Sequence, residues 1–185
     1  TTLKESSKKI FMNKNILISL GATVENIDPA RAITNLSSGK MGVNLAKAAY
    51  ILGANVTIIA AKTNESIPNV IKTIPAQNHK EMFQAVEKNI GKNDIFISAA
   101  AISDYLPFQN TKKIKKFKNT ISINLKKSED ILANVVKNKN IFTVGFAAES
   151  ENLIKNAMEK LAKKNIDLII GNLIHDSMNQ ETTQI

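Results

Sequence analysis

NILISL at Asn15–Leu20, DPARAITNLSSGKMG at Asp28–Gly42 and VNLAKAAYIL at Val43–Leu52 form the stretch from which the fold is read. The first piece is an unbroken aliphatic run of strand length, as in strands buried on both faces. The last is alanine-rich and predicts a helix over Met41–Leu52. Between them, serines, glycines and a lysine stand where a strand hands over to a helix. They supply hydroxyls, unhindered backbone N–H groups and positive charge, which a phosphate site requires. Ser37 and Ser38 as simple helix caps, with Gly39 relieving a turn, is the plainer alternative. Against it, the segment is longer than a cap needs, and Arg31 and Asn35 sit four residues apart just before the serines. The stretch therefore points to an anionic ligand.

Familiar glycine loops do not match. In a Walker A reading Thr34 stands where the first Gly belongs and Met41 where the hydroxyl belongs. After the first strand, Gly21 is followed by Ala22, Thr23 and Val24, so no G-x-G-x-x-G forms. SSGKMG faintly echoes short-chain dehydrogenases, but those need Tyr-x-x-x-Lys. Here Tyr50 leads to Ala54 and Tyr105 to Gln109.

Outward from this stretch, strand-like and helix-like segments alternate. Asn15–Leu20, Asn55–Ala60, Asp94–Ala99, Phe142–Phe146 and Asp167–Ile170 are predicted strands. Met41–Leu52, Lys80–Asn89, Asp130–Lys137 and Asn152–Lys164 are predicted helices. This alternation implies an α/β fold with a mostly parallel sheet. Ile121–Leu125 alternates apolar and polar residues and predicts one more exposed strand. Residues 1–13 read as a polar lead-in or linker, and residues 14–185 as one domain.

Composition narrows the function. At 185 residues and 43% apolar content the chain can bury a core. Its apolar runs are too short for a membrane span and it opens with no signal-peptide pattern, so a soluble, cytoplasmic protein is expected. Cysteine is absent, and His79 and His175 are far apart in sequence, so neither disulfides nor a zinc site are expected. A net charge of +9 invites nucleic acid, yet Arg31 is the one arginine and aromatics are 5%, so base readout and stacking are poorly supplied. Neither nucleic acid nor membrane is expected as a partner.

Lys112, Lys113, Lys115, Lys116 and Lys118 form the densest basic run, interleaved with Ile114 and Phe117. Such a run is either a solvated face or a lid whose lysines reach phosphates. SAAAISD at Ser98–Asp104 and GFAAE at Gly145–Glu149 bring small residues to strand ends, where a ligand can approach the backbone. Phe146 is placed to stack on a base. Lys160 and Lys164 share one helical face, either at a site or simply on the surface.

In this order, ITNLSSGKMG, SAAAISDY, KKIKK, SEDIL and GFAAES closely resemble the phosphopantothenate-cysteine ligase family, across about Asn15–Asn172. The resemblance implies a Rossmann-like three-layer fold with a basic lid loop and a homodimer. It also implies Mg²⁺ with CTP as co-substrate, and 4'-phosphopantothenate and L-cysteine as the other substrates. Asn35 and Lys113 match catalytic positions. Arg31, Ser37, Ser38, Gly39, Lys40 and Ala101 match substrate positions. Ser98, Ala99, Ala100, Asp104, Lys113, Glu129, Asp130, Ile131, Leu132, Phe146, Lys160 and Lys164 match nucleotide positions. Metal ligands are not identified. In many bacteria this ligase is fused behind a flavin-dependent decarboxylase. No flavin is expected in this chain, so the decarboxylase would be a fused or separate partner. The family pattern continues past Ile185, so the domain is expected to lack its C-terminal end. The alternative function is a nucleotide-binding regulatory or assembly module of the same fold.

Overall fold

Short runs of branched aliphatic residues build the centre of the computed structural model, which describes residues 9–116, 119–137 and 141–174. The chain runs through β1 (Asn15–Leu20), β2 (Val24–Asp28), β3 (Arg31–Thr34), α1 (Lys40–Ile51), β4 (Asn55–Ala60), β5 (Lys72–Pro75) and α2 (His79–Ile90). It continues through β6 (Ile95–Ser98), β7 (Tyr105–Pro107), β8 (Leu125–Lys127), α3 (Ile131–Val136), β9 (Phe142–Glu149), α4 (Leu153–Lys164) and β10 (Leu168–Leu173). Six strands form one parallel sheet in the order β10-β9-β6-β1-β4-β5.

That order is doubly wound. From β1 the chain moves outward through β4 and β5, returns to β6 on the other side of β1, and moves outward again through β9 and β10. The reversal falls between β1 and β6, and the crevice beyond the carboxyl ends of those strands is where Rossmann-like sheets take ligands. Ile16, Leu17, Ile18 and Leu20 are at most 1% exposed, so β1 is buried on both faces, as its sequence requires. Helix α1 packs Val43, Ala46 and Ala49 against Ile16, Ile18 and Leu20. On the opposite face, Met82, Val86 and Ile90 of α2 and Ile131, Leu132 and Val135 of α3 pack with Leu17 and Phe96. Three layers result, with β1 at their centre.

The main elements fall where the sequence places them, with ends moved by a few residues. Asn15–Leu20 and Asn55–Ala60 match, whereas the β9 strand runs on from Phe142 to Glu149. The Asp167–Ile170 strand shifts to Leu168–Leu173. The expectation for Ile121–Leu125 is corrected: pairing begins only at Leu125, and Ile121 and Ile123 are exposed, so their alternation faces no core. The reading of Asp28–Gly42 as one loop is also corrected, because Arg31–Thr34 pairs antiparallel with Val24–Asp28. Strand β5 is short and at the sheet edge, and β7 has three residues, so neither carries a strong pattern. Phe11, in the polar lead-in, packs on the α1 side of the core and its N–H donates to Leu52 O at 3.1 Å. Phe117, Lys118 and His175 lie outside the described residues.

Gly42 sets how closely α1 approaches β1, since a Cβ there would stand 2.4 Å from Leu20 Cβ. Gly42→Ala should therefore destabilise the chain by about 1–3 kcal/mol through overpacking. Urea unfolding should show a lower midpoint at unchanged slope.

Candidate functional site at the switch point

The carboxyl ends of β1, β4 and β6 are locked together by backbone hydrogen bonds just past the sheet. Ala22 N donates to Lys62 O at 2.9 Å and Lys62 N to Ala22 O at 3.1 Å. On the other side, Ala101 N donates to Gly21 O at 2.8 Å and Thr23 N to Ala101 O at 3.2 Å. This crossing needs Gly21 at φ +83°, where a Cβ would stand 2.6 Å from Lys62 O. The Asn35 amide Nδ2 donates to Ala101 O at 3.1 Å. Asn35 and Ala101, 66 residues apart in sequence, are thus held together at the switch point, with Ser98–Ala100 leading into it from the end of β6.

The serine loop borders the same crevice. Gly39, at φ +83°, is the N-cap of α1 and lends no side-chain oxygen. Gly39 N donates to Ser37 Oγ and Lys40 N to Ser38 Oγ, each at 3.3 Å. These are long bonds, weak enough to be exchanged for the oxygens of an anionic ligand. Thr63 Oγ1 donates to Ser38 O at 2.6 Å and stands 2.5 Å from where a Gly39 Cβ would be. Thr63, following β4, therefore sets the loop's shape.

Arg31 lies on β3, so four residues of extended chain place it about 13 Å from Asn35 along the strand instead of stacking the two as a helix would. Its Nη1 pairs with the carboxylate of Asp28, whose side chain is fully buried. Asp28 also accepts from Ala30 N at 2.7 Å and, across 86 residues, from Ile114 N at 3.0 Å. The Ile114 bond first, then Ala30 and Arg31, outweigh burial and hold the Asp28 carboxyl below its usual value. The basic run therefore docks on the β2–β3 hairpin through one peptide, while Lys113 and its neighbouring lysines stay exposed.

A third group gathers around the ends of β6, β9 and α3. Lys160 Nζ donates to Phe146 O at 2.6 Å, and Lys164 pairs with Asp130 Oδ2 at 2.8 Å. Burial and the adjacent Lys164 lower the Lys160 amine, while Glu149, Asp104 and Asp130 pull it back up. Burial pushes the Asp130 carboxyl up, but Lys164 and Ala133 N bring it below its usual value. Asp104, Asp130, Phe146, Lys160 and Lys164 are thus neighbours. Ile131 and Leu132 point into the core, at 3% and 5% exposure, so a ligand would meet only their backbone at the start of α3.

Asp28, Thr63 and His79 carry structural roles that the sequence reading missed. His79 N donates to the buried Glu25 Oε1 at 2.8 Å, and its Nε2 lies 2.7 Å from Glu129 O. A carbonyl partner requires Nε2–H, so the ring donates and fixes the segment leading to Asp130. The Asp-Pro-x-Arg spacing was a usable signal for Asp28, since a turn returns Arg31 onto it. Thr63 and His79 act through contacts distant in sequence, which no local pattern announces. Among the described residues no three His, Cys, Asp or Glu side chains converge on a metal position. A magnesium ion would fit here as one carried by a triphosphate's own oxygens and water. Nor is any helix among them long and apolar enough to cross a membrane.

The family model for the DNA/pantothenate metabolism flavoprotein C-terminal domain matches residues 11–185. The coenzyme A biosynthesis bifunctional protein CoaBC of Borreliella burgdorferi is 45% identical over 176 residues, covering 92% of this chain and 45% of that protein. Its counterpart in Vibrio parahaemolyticus is 44% identical over 169 residues, covering 89% and 42%. The chain thus spans less than half the length of these curated relatives. The crystal structure of a CoaBC C-terminal domain superposes with a TM-score of 0.79 at 35% identity, covering 90% of this chain and 80% of that one.

The Lys160 surroundings give a test with a definite sign. Its folded pKa is below the free value of 10.5, so the fold disfavours its charged form. As pH rises through the lowered value toward 10.5, the unfolded chain still binds a proton that the folded chain has lost, and stability rises. The stability of the wild type relative to Lys160→Met should accordingly increase with pH over that interval, measured by urea unfolding. A flat difference would show that Lys160 titrates as a free lysine.

Proposed function

The chain belongs to the DNA/pantothenate metabolism flavoprotein C-terminal domain family, and on that premise we propose that it is a CTP-dependent phosphopantothenate-cysteine ligase of coenzyme A biosynthesis. The carrying observation is the Asn35 amide anchored on Ala101 O between the serine loop and the strand-end segment Ser98–Ala100. It sets a hydrogen-bond donor where an anion site and a small-residue nucleotide cradle meet.

In this reading the carboxylate of 4'-phosphopantothenate attacks the α-phosphorus of CTP. Pyrophosphate leaves and an acyl-cytidylate remains. Mg²⁺ bound to the triphosphate would offset its charge. Lys113 supplies positive charge to the α-phosphate as negative charge accumulates. Ser37, Ser38, Gly39 and Lys40 bind the anionic substrate at the N-terminus of α1, with Ala101 at the junction of the two substrates. Asp104, the backbone of Glu129–Leu132, Phe146, Lys160 and Lys164 hold the nucleotide. The amine of L-cysteine then attacks the acyl carbon and CMP departs, while the Asn35 amide stabilises the acyl oxygen. No protein nucleophile is needed, in keeping with a chain that has no cysteine.

Flavin plays no part in these steps, and a fused or separate flavin-dependent decarboxylase would act on the product. The working form is a homodimer in the cytoplasm. Supporting the dimer, Leu36, Tyr105, Phe108 and Ile121 are more than half exposed in and beside the two hairpins, an apolar surface that a second copy would cover.

Pyrophosphate release on mixing the chain with CTP, phosphopantothenate and Mg²⁺ tests the reading, and its absence would favour a non-catalytic nucleotide-binding module. Lys113→Gln should keep the fold but slow that release about a hundred- to a thousand-fold. Asn35→Asp should slow the cysteine step more than activation, because it puts an anion beside developing negative charge. Single-turnover mixing should then show acyl-cytidylate accumulating. If nucleotide choice resides in the pocket near Phe146, kcat/KM should favour CTP over ATP, and equal values would remove the CTP assignment.

A further inference from the structure

Ile114, at the middle of the basic run KKIKK, is gripped through both of its backbone polar groups. Its N–H donates to Asp28 Oδ2 at 3.0 Å, and its carbonyl accepts from Arg31 Nη1 at 3.3 Å. Arg31 Nη1 in turn pairs with the same Asp28 oxygen, closing a small ring of contacts. Asn110 N donating to Ile27 O at 2.8 Å adds a second tie one residue from Asp28. The lysines flanking Ile114 are exposed, and like charges in a run repel one another. Left alone, such a segment would spread its ammonium groups into solvent. A fully buried carboxylate with three donors is, by contrast, a rigid point in the hairpin.

We propose that Asp28 is the positioning residue for Lys113: its carboxylate clamps the Ile114 peptide, with Arg31, so that the adjacent Lys113 is presented to the α-phosphate. This rests on the ligase reading above and adds to it a residue that touches no substrate. It also gives Arg31 a second duty, since one of its nitrogens is committed to the clamp.

The test joins amide hydrogen exchange to a double-mutant cycle. In the wild type the Ile114 amide should exchange far more slowly than exposed amides beside it. Exchange as fast as theirs overturns the clamp without any variant. Asp28→Asn should abolish that protection and lower kcat for pyrophosphate release about ten- to a hundred-fold, the scale of one charge-assisted hydrogen bond, with KM for CTP little changed. In a Lys113→Gln background the same substitution should cost less than about twofold, because nothing remains to position. Losses that multiply independently in the two backgrounds would show that Asp28 serves the fold alone and overturn the proposal. A wild type that protects Ile114 yet releases no pyrophosphate would instead fell the ligase reading, and the catalytic purpose of the clamp with it.

Discussion

Everything at the crevice depends on the backbone of Gly21–Thr23, which carries the line of β1 beyond the sheet and bonds to Lys62 on one side and Ala101 on the other. These bonds hold together three chain segments that come from different parts of the sequence. Because backbone groups make them, side-chain substitution affects them only where a Cβ intrudes, and Gly21 is the position where it would. Asn35 uses the remaining capacity of the Ala101 carbonyl, which already accepts from Thr23 N. A carbonyl with two lone pairs can serve both. The donor beside the crevice is therefore fixed to a backbone that is itself tied to the end of β1.

The charges around it follow a common arrangement. Cations at the crevice are held by local oxygens: Arg31 by Asp28, Lys164 by Asp130, and Lys160 by a peptide carbonyl. Such pairs limit the self-repulsion of a chain with formal charge +9. At Lys164 they also leave an incoming polyanion to compete with a part-exposed carboxylate rather than to desolvate a bare ammonium. The lysines around Ile114 differ, since their charge remains in solvent while their backbone is fixed.

The sheet was legible in the sequence wherever a strand is buried on both faces, because NILISL and NVTIIA permit little else. Hairpin β2–β3 was not, since its alternating burial is interrupted by a bulge and its second strand is short and has no fully buried residue. Ile121 and Ile123 misled for the opposite reason: their period of two is a strand pattern, yet neither finds a core. In the structure Asn35 meets Ala101 and Phe146 meets Lys160, residues that the sequence grouped only through a family resemblance. It did not reveal the partners that hold those motifs. Asp28 meets Ile114 and Glu25 meets His79 only because the sheet is wound in two directions, and such a meeting leaves no periodic trace in a single chain.

Placing β1 in the middle of the sheet has a consequence for how the chain comes into being. Its two neighbours are β4 and β6, and Ile16 pairs in register with Val56 and Ile95. On a ribosome adding roughly 5–20 residues per second, the 79 residues from Leu17 through Ile95 take about 4–16 s to make. During that interval the strand at the centre of the finished sheet has at most one of its edges covered. Early docking of α1 on Ile16, Ile18 and Leu20 would shield one face, which gives the small residues of that helix a purpose in the newborn chain as well as in the finished one.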